Sequence, residues 1–305
     1  MLNSRYLHQA ELLLRCLPIV MECEEFALKG GTAINFFIRN LPRLSVDIDL
    51  CFTPLLDGSG TIIRINTAFT IIQNKIKRML PGSIIDRTMS SKSRDNVKLI
   101  VRWRGSTIKI EPNIILRGMV YPVEIKELSN RAQEMFEISM ECRLLNVSDL
   151  YGSKICAALD RQHPRDLFDI KILLENEGIT KKIKNTFIVY LISHPRPISE
   201  LLSPNFKDIS DVFRAEFTGM CETSVLVEEL ESTRNTLLKN MLKNLTDNDK
   251  HFLLSIKQNK PNWALFEIDH IHELPAVKWK LMNISRMGKK KHTMAIENLE
   301  KALEI

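Results

Sequence analysis

The stretch Val46-Asp47-Ile48-Asp49-Leu50-Cys51-Phe52 constrains this chain most. Its residues alternate in character, which is the period of a β-strand whose successive side chains point to opposite faces. Asp47 and Asp49 then share one face with Cys51, and Ile48 and Leu50 share the other. Two neighbouring carboxylates repel each other. A divalent cation removes that penalty, because Mg²⁺, or Mn²⁺ in its place, prefers oxygen ligands. Asp47 and Asp49 are therefore candidate metal ligands.

Shortly before this strand, the apolar run Phe26 to Leu28 ends at Lys29-Gly30-Gly31-Thr32, and Thr32 to Arg39 reads as a helix. Glycines let the backbone approach a ligand closely and expose N–H groups to phosphate, and a helix start favours anions. Gly30, Gly31 and Thr32 are thus candidate nucleotide-binding residues, with the Thr32 hydroxyl placed to cap the helix or to meet a phosphate oxygen. The GxxxxGK[ST] spacing of a P-loop is absent.

Val97 to Trp103 and Thr107 to Ile114 read as two strands joined by a turn at Gly105-Ser106. Glu111 in the second strand shares a face with Lys109. A third carboxylate beside Asp47 and Asp49 would complete a two-metal site or take a proton from an attacking hydroxyl. Pro112 directly after Glu111 suits a strand edge or end.

A later helix, Val147 to Arg161, carries Lys154, and a second begins after His163-Pro164 and runs from Arg165 to Asn176, ending at Gly178. Lys154 is a point charge of the kind that holds a triphosphate. Asp166 and Asp169 lie three apart on one helix face, and Arg161, Arg165 and Asp166 could equally form a structural ion-pair network.

Lengthwise, the first part mixes strands and helices and the remainder is helical in pattern. The expectation is an α+β fold: a mixed sheet with helices over residues 1–125, followed by an all-helical domain over residues 126–305. Met1 to Val20 reads as an amphipathic helix without the uninterrupted apolar core of a secretory signal. No apolar run approaches the roughly 18 residues of a membrane span. The six cysteines are scattered with no CxxC pair, as expected of reduced core thiols in a cytoplasmic protein. A net charge of +6 is compatible with a polyanionic partner such as RNA, and the densest basic segment is Arg286 with Lys289, Lys290 and Lys291.

The segment from Leu28-Lys29-Gly30-Gly31-Thr32-Ala33 through Leu41-Pro42-Arg43-Leu44-Ser45-Val46-Asp47-Ile48-Asp49-Leu50 resembles the AbiEii/AbiGii toxin family. Lys154 through Arg165-Asp166-Leu167-Phe168-Asp169 resembles that family's later motif, so the likeness covers about residues 20 to 175. The resemblance implies a DNA-polymerase-β-type nucleotidyltransferase that uses an NTP and Mg²⁺. It also implies a toxin of a toxin–antitoxin or phage abortive-infection system, with a cognate antitoxin. The related mycobacterial MenT toxins transfer nucleotides to the 3′ end of tRNA, which makes tRNA or another RNA the implied acceptor. Carried over, Gly31 and Thr32 match the phosphate-contacting turn, Asp47 and Asp49 the metal pair, and Lys154 the nucleotide-contacting lysine. Asp169 matches the late acidic residue, with Asp166 a second candidate, and Glu111 fits the third acidic position. A protein or small-molecule acceptor such as an antibiotic would use the same core, and a non-catalytic binding protein is the alternative of another class.

Overall fold

The computed structural model describes residues 2–89, 97–113 and 117–305. The chain divides into two compact units, Met1–Leu150 with Thr218–Ser224, and Tyr151–Phe217 with Val225–Ile305.

The first unit is built on a seven-stranded mixed sheet. Its strands in chain order are β1 (Phe26–Lys29), β2 (Asp47–Phe52), β3 (Ile84–Met89), β4 (Val97–Trp103), β5 (Ser106–Asn113), β6 (Glu124–Glu127) and β7 (Glu141–Leu144). Across the sheet they run β3-β4-β5-β2-β1-β7-β6. β2 lies parallel to β5 and antiparallel to β1, β1 lies parallel to β7, and the outer pairs are antiparallel. Two helices cover the apolar face: α1 (Ser4–Met21), which begins at the Asn3 cap, and α3 (Gly58–Met79), capped by Asp57. Phe69 of α3 meets Phe26 edge-on, and Phe26 meets Phe52, its register partner on β2. Ile48, Leu50, Leu99, Val101 and Ile110 are essentially solvent-free on this same face. The period-two alternation therefore leaves Asp47, Asp49 and Glu111 on the opposite face.

Between β1 and β2 the chain makes one short helical turn, α2 (Gly30–Ala33), which continues as a π-turn over Ile34–Ile38. The expected helix from Thr32 to Arg39 is present in this form. The expected strand ending at Ile114 is β5; Ile114 itself lies outside the described residues.

The sequence reading divides the chain near residue 125, yet β6 and β7 follow that point and belong to the sheet. They carry α4 (Asn130–Phe136) between them, and β7 pairs Leu144 with Leu28 of β1. The division into compact units falls instead inside α5 (Val147–Asp160).

The second unit is helical. After α5 come α6 (Pro164–Glu175), α7 (Lys181–Ser193), α8 (Ile198–Leu202), α9 (Ser210–Glu216), α10 (Val227–Asn244), α11 (Asp247–Lys257), α12 (Pro275–Ser285) and α13 (Lys289–Leu303). Leu159, Leu167, Ile170, Phe187, Leu191, Leu237, Phe252 and Ile256 fill its core. α6 starts where the sequence suggested: Pro164 occupies the first turn, His163 caps it, and Gly178, at φ +67, returns its N–H to Leu173. Among the described residues no helix is long and apolar enough to cross a membrane. Among those residues no cysteine is paired in a disulfide, and burial pushes the thiols of Cys16 and Cys142 up to about 12.

Candidate active site

The acidic face of the first unit follows from one register. In the parallel pair β2–β5, Asp47 lies opposite Lys109 and Asp49 opposite Glu111. In the antiparallel pair β1–β2, Asp49 lies opposite Lys29. Residues paired across a ladder share a face, so Asp47, Asp49 and Glu111 stand together, flanked by Lys29 and Lys109. Asp47 and Asp49 are half-buried. Glu111 is 43 % exposed along its side chain and meets Lys98 of β4 at 3.6 Å.

The glycine pair is required by the protein's own side chains. Gly30 has φ +72, and a Cβ placed on it would fall 2.3 Å from Oδ2 of Asp49. Gly31 would carry its Cβ 2.6 Å from Nη2 of Arg43 and 3.2 Å from Oγ of Ser45. Only glycine lets this turn lie against the Asp49 carboxylate on one side and the buried guanidinium of Arg43 on the other.

Thr32 sits differently from its sequence-based expectation. Its side chain is solvent-free, and its hydroxyl donates to the backbone carbonyl of Asp47 at 2.6 Å, with Ser45 Oγ 2.9 Å away. The helix is capped at Lys29, with no side-chain bond, and not by Thr32. A hydroxyl has one proton to give. The Thr32 proton therefore ties the turn to the start of β2 and points away from any solvent-borne phosphate.

The donor set suits a hard divalent cation: three carboxylates of one sheet face, with no sulfur or imidazole among them. Among the described residues, however, no group of three or more acidic, His or Cys side chains is gathered closely enough to hold a metal ion. Asp47 and Asp49 share the face by strand period, and Glu111 leans toward Lys98. The fit thus rests on the two aspartates, with Glu111 opposite Asp49 on the next strand.

The second unit gathers Lys154, Asp166 and Asp169. The Lys154 ammonium donates to Asp166 Oδ1 at 2.8 Å and lies 3.0 Å from Asp169 Oδ2. Arg161 closes on Asp166 from the other side, its Nη2 at 2.9 Å. Asp166 and Asp169 are 1 % exposed and Lys154 6 %. Burial alone would raise the Asp166 pKa; Lys154 and Arg161 outweigh it and hold the carboxyl well below the usual range. Arg165, read from sequence as part of the same network, reaches Glu216 of α9 at 2.9 Å, and His163 meets that carboxylate at 3.1 Å.

Sequence reasoning missed Lys29, Arg43 and Ser45 as parts of this arrangement. Lys29 ends β1 directly before the glycines, so the strand period alone could have placed it. Arg43 is 2 % exposed and donates to the Leu44 carbonyl at 2.9 Å. Nothing in a lone Pro-Arg-Leu-Ser stretch announces that its arginine lies under a glycine 12 residues earlier.

Three comparisons bear on this arrangement. Residues 11–283 match the family model described as nucleotidyl transferase AbiEii toxin, type IV TA system. Among solved structures the chain is similar to MenT4, a nucleotidyltransferase toxin of Mycobacterium tuberculosis H37Rv, with a TM-score of 0.60 at 13 % identity. That similarity covers 92 % of this chain and 93 % of the other, and at such identity it speaks for the fold alone. Among curated proteins none matches the sequence.

Proposed function

This chain belongs to the nucleotidyl transferase AbiEii toxin family of type IV toxin–antitoxin systems, and we propose that it transfers a nucleotide from an NTP to the 3′-hydroxyl of a tRNA. Membership makes it a nucleotidyltransferase with an NTP as substrate and an antitoxin as partner. The tRNA acceptor, the metal and the residue roles below are part of the proposal. Working on NTP and tRNA places the protein in the cytoplasm.

The observation that carries the reading is the β2–β5 register, which sets Glu111 opposite Asp49 on the face that Asp47 shares. Asp47 and Asp49, joined by Glu111, would hold Mg²⁺. When bound, that ion offsets the charge of the triphosphate and makes pyrophosphate a better leaving group. The acceptor oxygen attacks the α-phosphorus and forms the new O–P bond as the α–β phosphoanhydride bond breaks. The hydroxyl proton passes to a carboxylate, a role we give to Glu111 once it parts from Lys98.

Gly30 and Gly31 bring the backbone of the turn to the Asp49 carboxylate, and Thr32 positions β2 through the Asp47 carbonyl. An ammonium has three donors. Asp166 and Asp169 engage Lys154, the lysine to which we assign the triphosphate contact. Asp169 and Asp166 thus serve as positioning residues for that lysine.

The test is incubation with total tRNA, Mg²⁺ and each labelled NTP in turn, beside the Asp47→Ala protein. Label on tRNA from the wild type alone is the expected result. Label in the Asp47→Ala lanes, or none with any NTP, overturns the assignment.

A further inference from the structure

Between Glu273 and Glu297 the chain has no acidic residue and carries Lys278, Lys280, Arg286, Lys289, Lys290 and Lys291. Without these six the chain would be neutral, with 37 basic against 37 acidic residues, since the whole has 43 and 37. The structure folds this segment into α12, a short link, and the start of α13.

Two features around that link are costly unless an anion arrives, and a third extends the row of cations inward. First, α13 opens at Gly288 with no side-chain cap and no acid in its first turn. Its first three residues are instead the exposed Lys289, Lys290 and Lys291. A helix start carries partial positive charge, so three lysines there repel it and one another. Second, Lys257 at the end of α11 is only 6 % exposed, and its ammonium meets the sulfur of Met287 at 3.8 Å. A thioether is a weak acceptor, and among the described residues no carboxylate pairs with this ammonium. Burial, then Lys291, lowers its pKa. The imidazole of His292 lies 2.7 Å from the Lys257 carbonyl, which joins the start of α13 to the end of α11. Third, Lys280 continues the row inward. It donates to the His194 carbonyl at 2.6 Å and to that of Arg196, and burial with Lys257 nearby pushes it down to about 8.

Trp279 and Met282 on α12 and Arg286 at its C-cap are spaced by three and four residues, so they line one face. All three are exposed, Trp279 by 41 %.

We infer that the end of α12 and the start of α13 bind the phosphodiester backbone of RNA, with Lys257, Arg286, Lys289, Lys290 and Lys291 meeting phosphates and Trp279 stacking a base. A phosphate row neutralises the lysine row and supplies acceptors to the α13 N–H groups. An exposed indole gives a base a sequence-tolerant platform. An anionic lipid surface fits less well. α13 has three of its four lysines at its start, and Glu297 and Glu300 follow along the same helix, where a flat acidic surface would repel them. The inference rests on the proposed function only in taking RNA as the polyanion.

The test is fluorescence anisotropy of a labelled RNA hairpin with the full chain, across a salt series. Changing Lys289, Lys290 and Lys291 together to Ser should weaken binding at least about tenfold and lower the log Kd against log salt slope by roughly 2 to 3. Lys257→Met keeps the volume beside Met287. It should lower the slope by roughly 0.7 to 0.9 while Tm holds or rises, because an ill-paired buried charge is gone. An unchanged affinity and slope in the triple variant overturns the surface. Binding to phosphatidylglycerol vesicles but not to RNA also overturns it, and assigns lipid instead. The two proposals fail separately: the Asp47→Ala protein should bind the hairpin like wild type. Hairpin binding lost through the lysines with no nucleotide transfer to tRNA would overturn the proposed acceptor alone.

Discussion

On the sheet face of the first unit, Asp47 and Asp49 stand half-buried and Glu111 is 43 % exposed, 3.6 Å from a surface lysine. In the second unit Asp166 and Asp169 are out of water, and Lys154 closes on both within 3.0 Å. The first group is open to solvent. The second carries its cation with it. The same residue type thus stands open to solvent in one place and closed on the chain's own cations in the other. What separates the two is access to solvent and the charge supplied by the chain itself.

The sharpest way to break this comparison is Asp47→Ala. If the sheet acids serve chemistry, nucleotide transfer should fall at least about a thousandfold, which is about 4 kcal/mol of barrier. The melting temperature should hold, since one member of a repelling pair has left. A melting temperature that collapses together with activity would put Asp47 on the scaffold side.

Asp166→Asn is the reverse experiment. Breaking a buried pair costs about 3–5 kcal/mol, and Asp169 remaining on Lys154 favours the lower end. Urea unfolding should show the loss. The acid limb of the stability curve tests the same point. The folded Asp166 carboxyl lies below its unfolded value of about 4. Its contribution is therefore complete above that pH and is lost as pH falls through and below it. The Asn variant should show a shallower fall in Tm on acidification than the wild type.

Gly30→Ala couples stability to chemistry. A side chain at φ +72 costs about 1–3 kcal/mol, and the new methyl displaces the Asp49 carboxylate. The Mg²⁺ midpoint for nucleotide transfer should rise, and an unchanged midpoint would separate the turn from the acids. Smallest is Lys98→Ala. Exposed ion pairs contribute about 0.2–1 kcal/mol, so stability should barely change. With Glu111 released, the Mg²⁺ midpoint should move slightly downward; an upward move would mean that Lys98 holds Glu111 in its working position.

Strong periods were legible in the sequence. β2, β4, β5, α5 and α6 appear where alternation, helical spacing and Pro or Gly signals put them. β6 and β7 were not legible, because Glu124–Glu127 and Glu141–Leu144 are four residues each, rich in charge, and take strand form through their partners. That is why the sheet runs past residue 125. Thr32 was legible as a residue of the turn but not as a buried one, since a hydroxyl next to glycines reads alike whether it faces solvent or the next strand.

By itself the sequence determined that Asp47 and Asp49 share a face, because a strand repeats every two residues whatever surrounds it. It likewise determined that Asp166 and Asp169 lie near each other, since a helix returns after three or four. Which strand lies beside β2, and that Glu111 falls opposite Asp49, was decided only by tertiary structure. Register between segments some 60 residues apart is chosen by the apolar face they bury together, with Ile48 and Ile110 solvent-free on it. Local spacing holds no record of that choice.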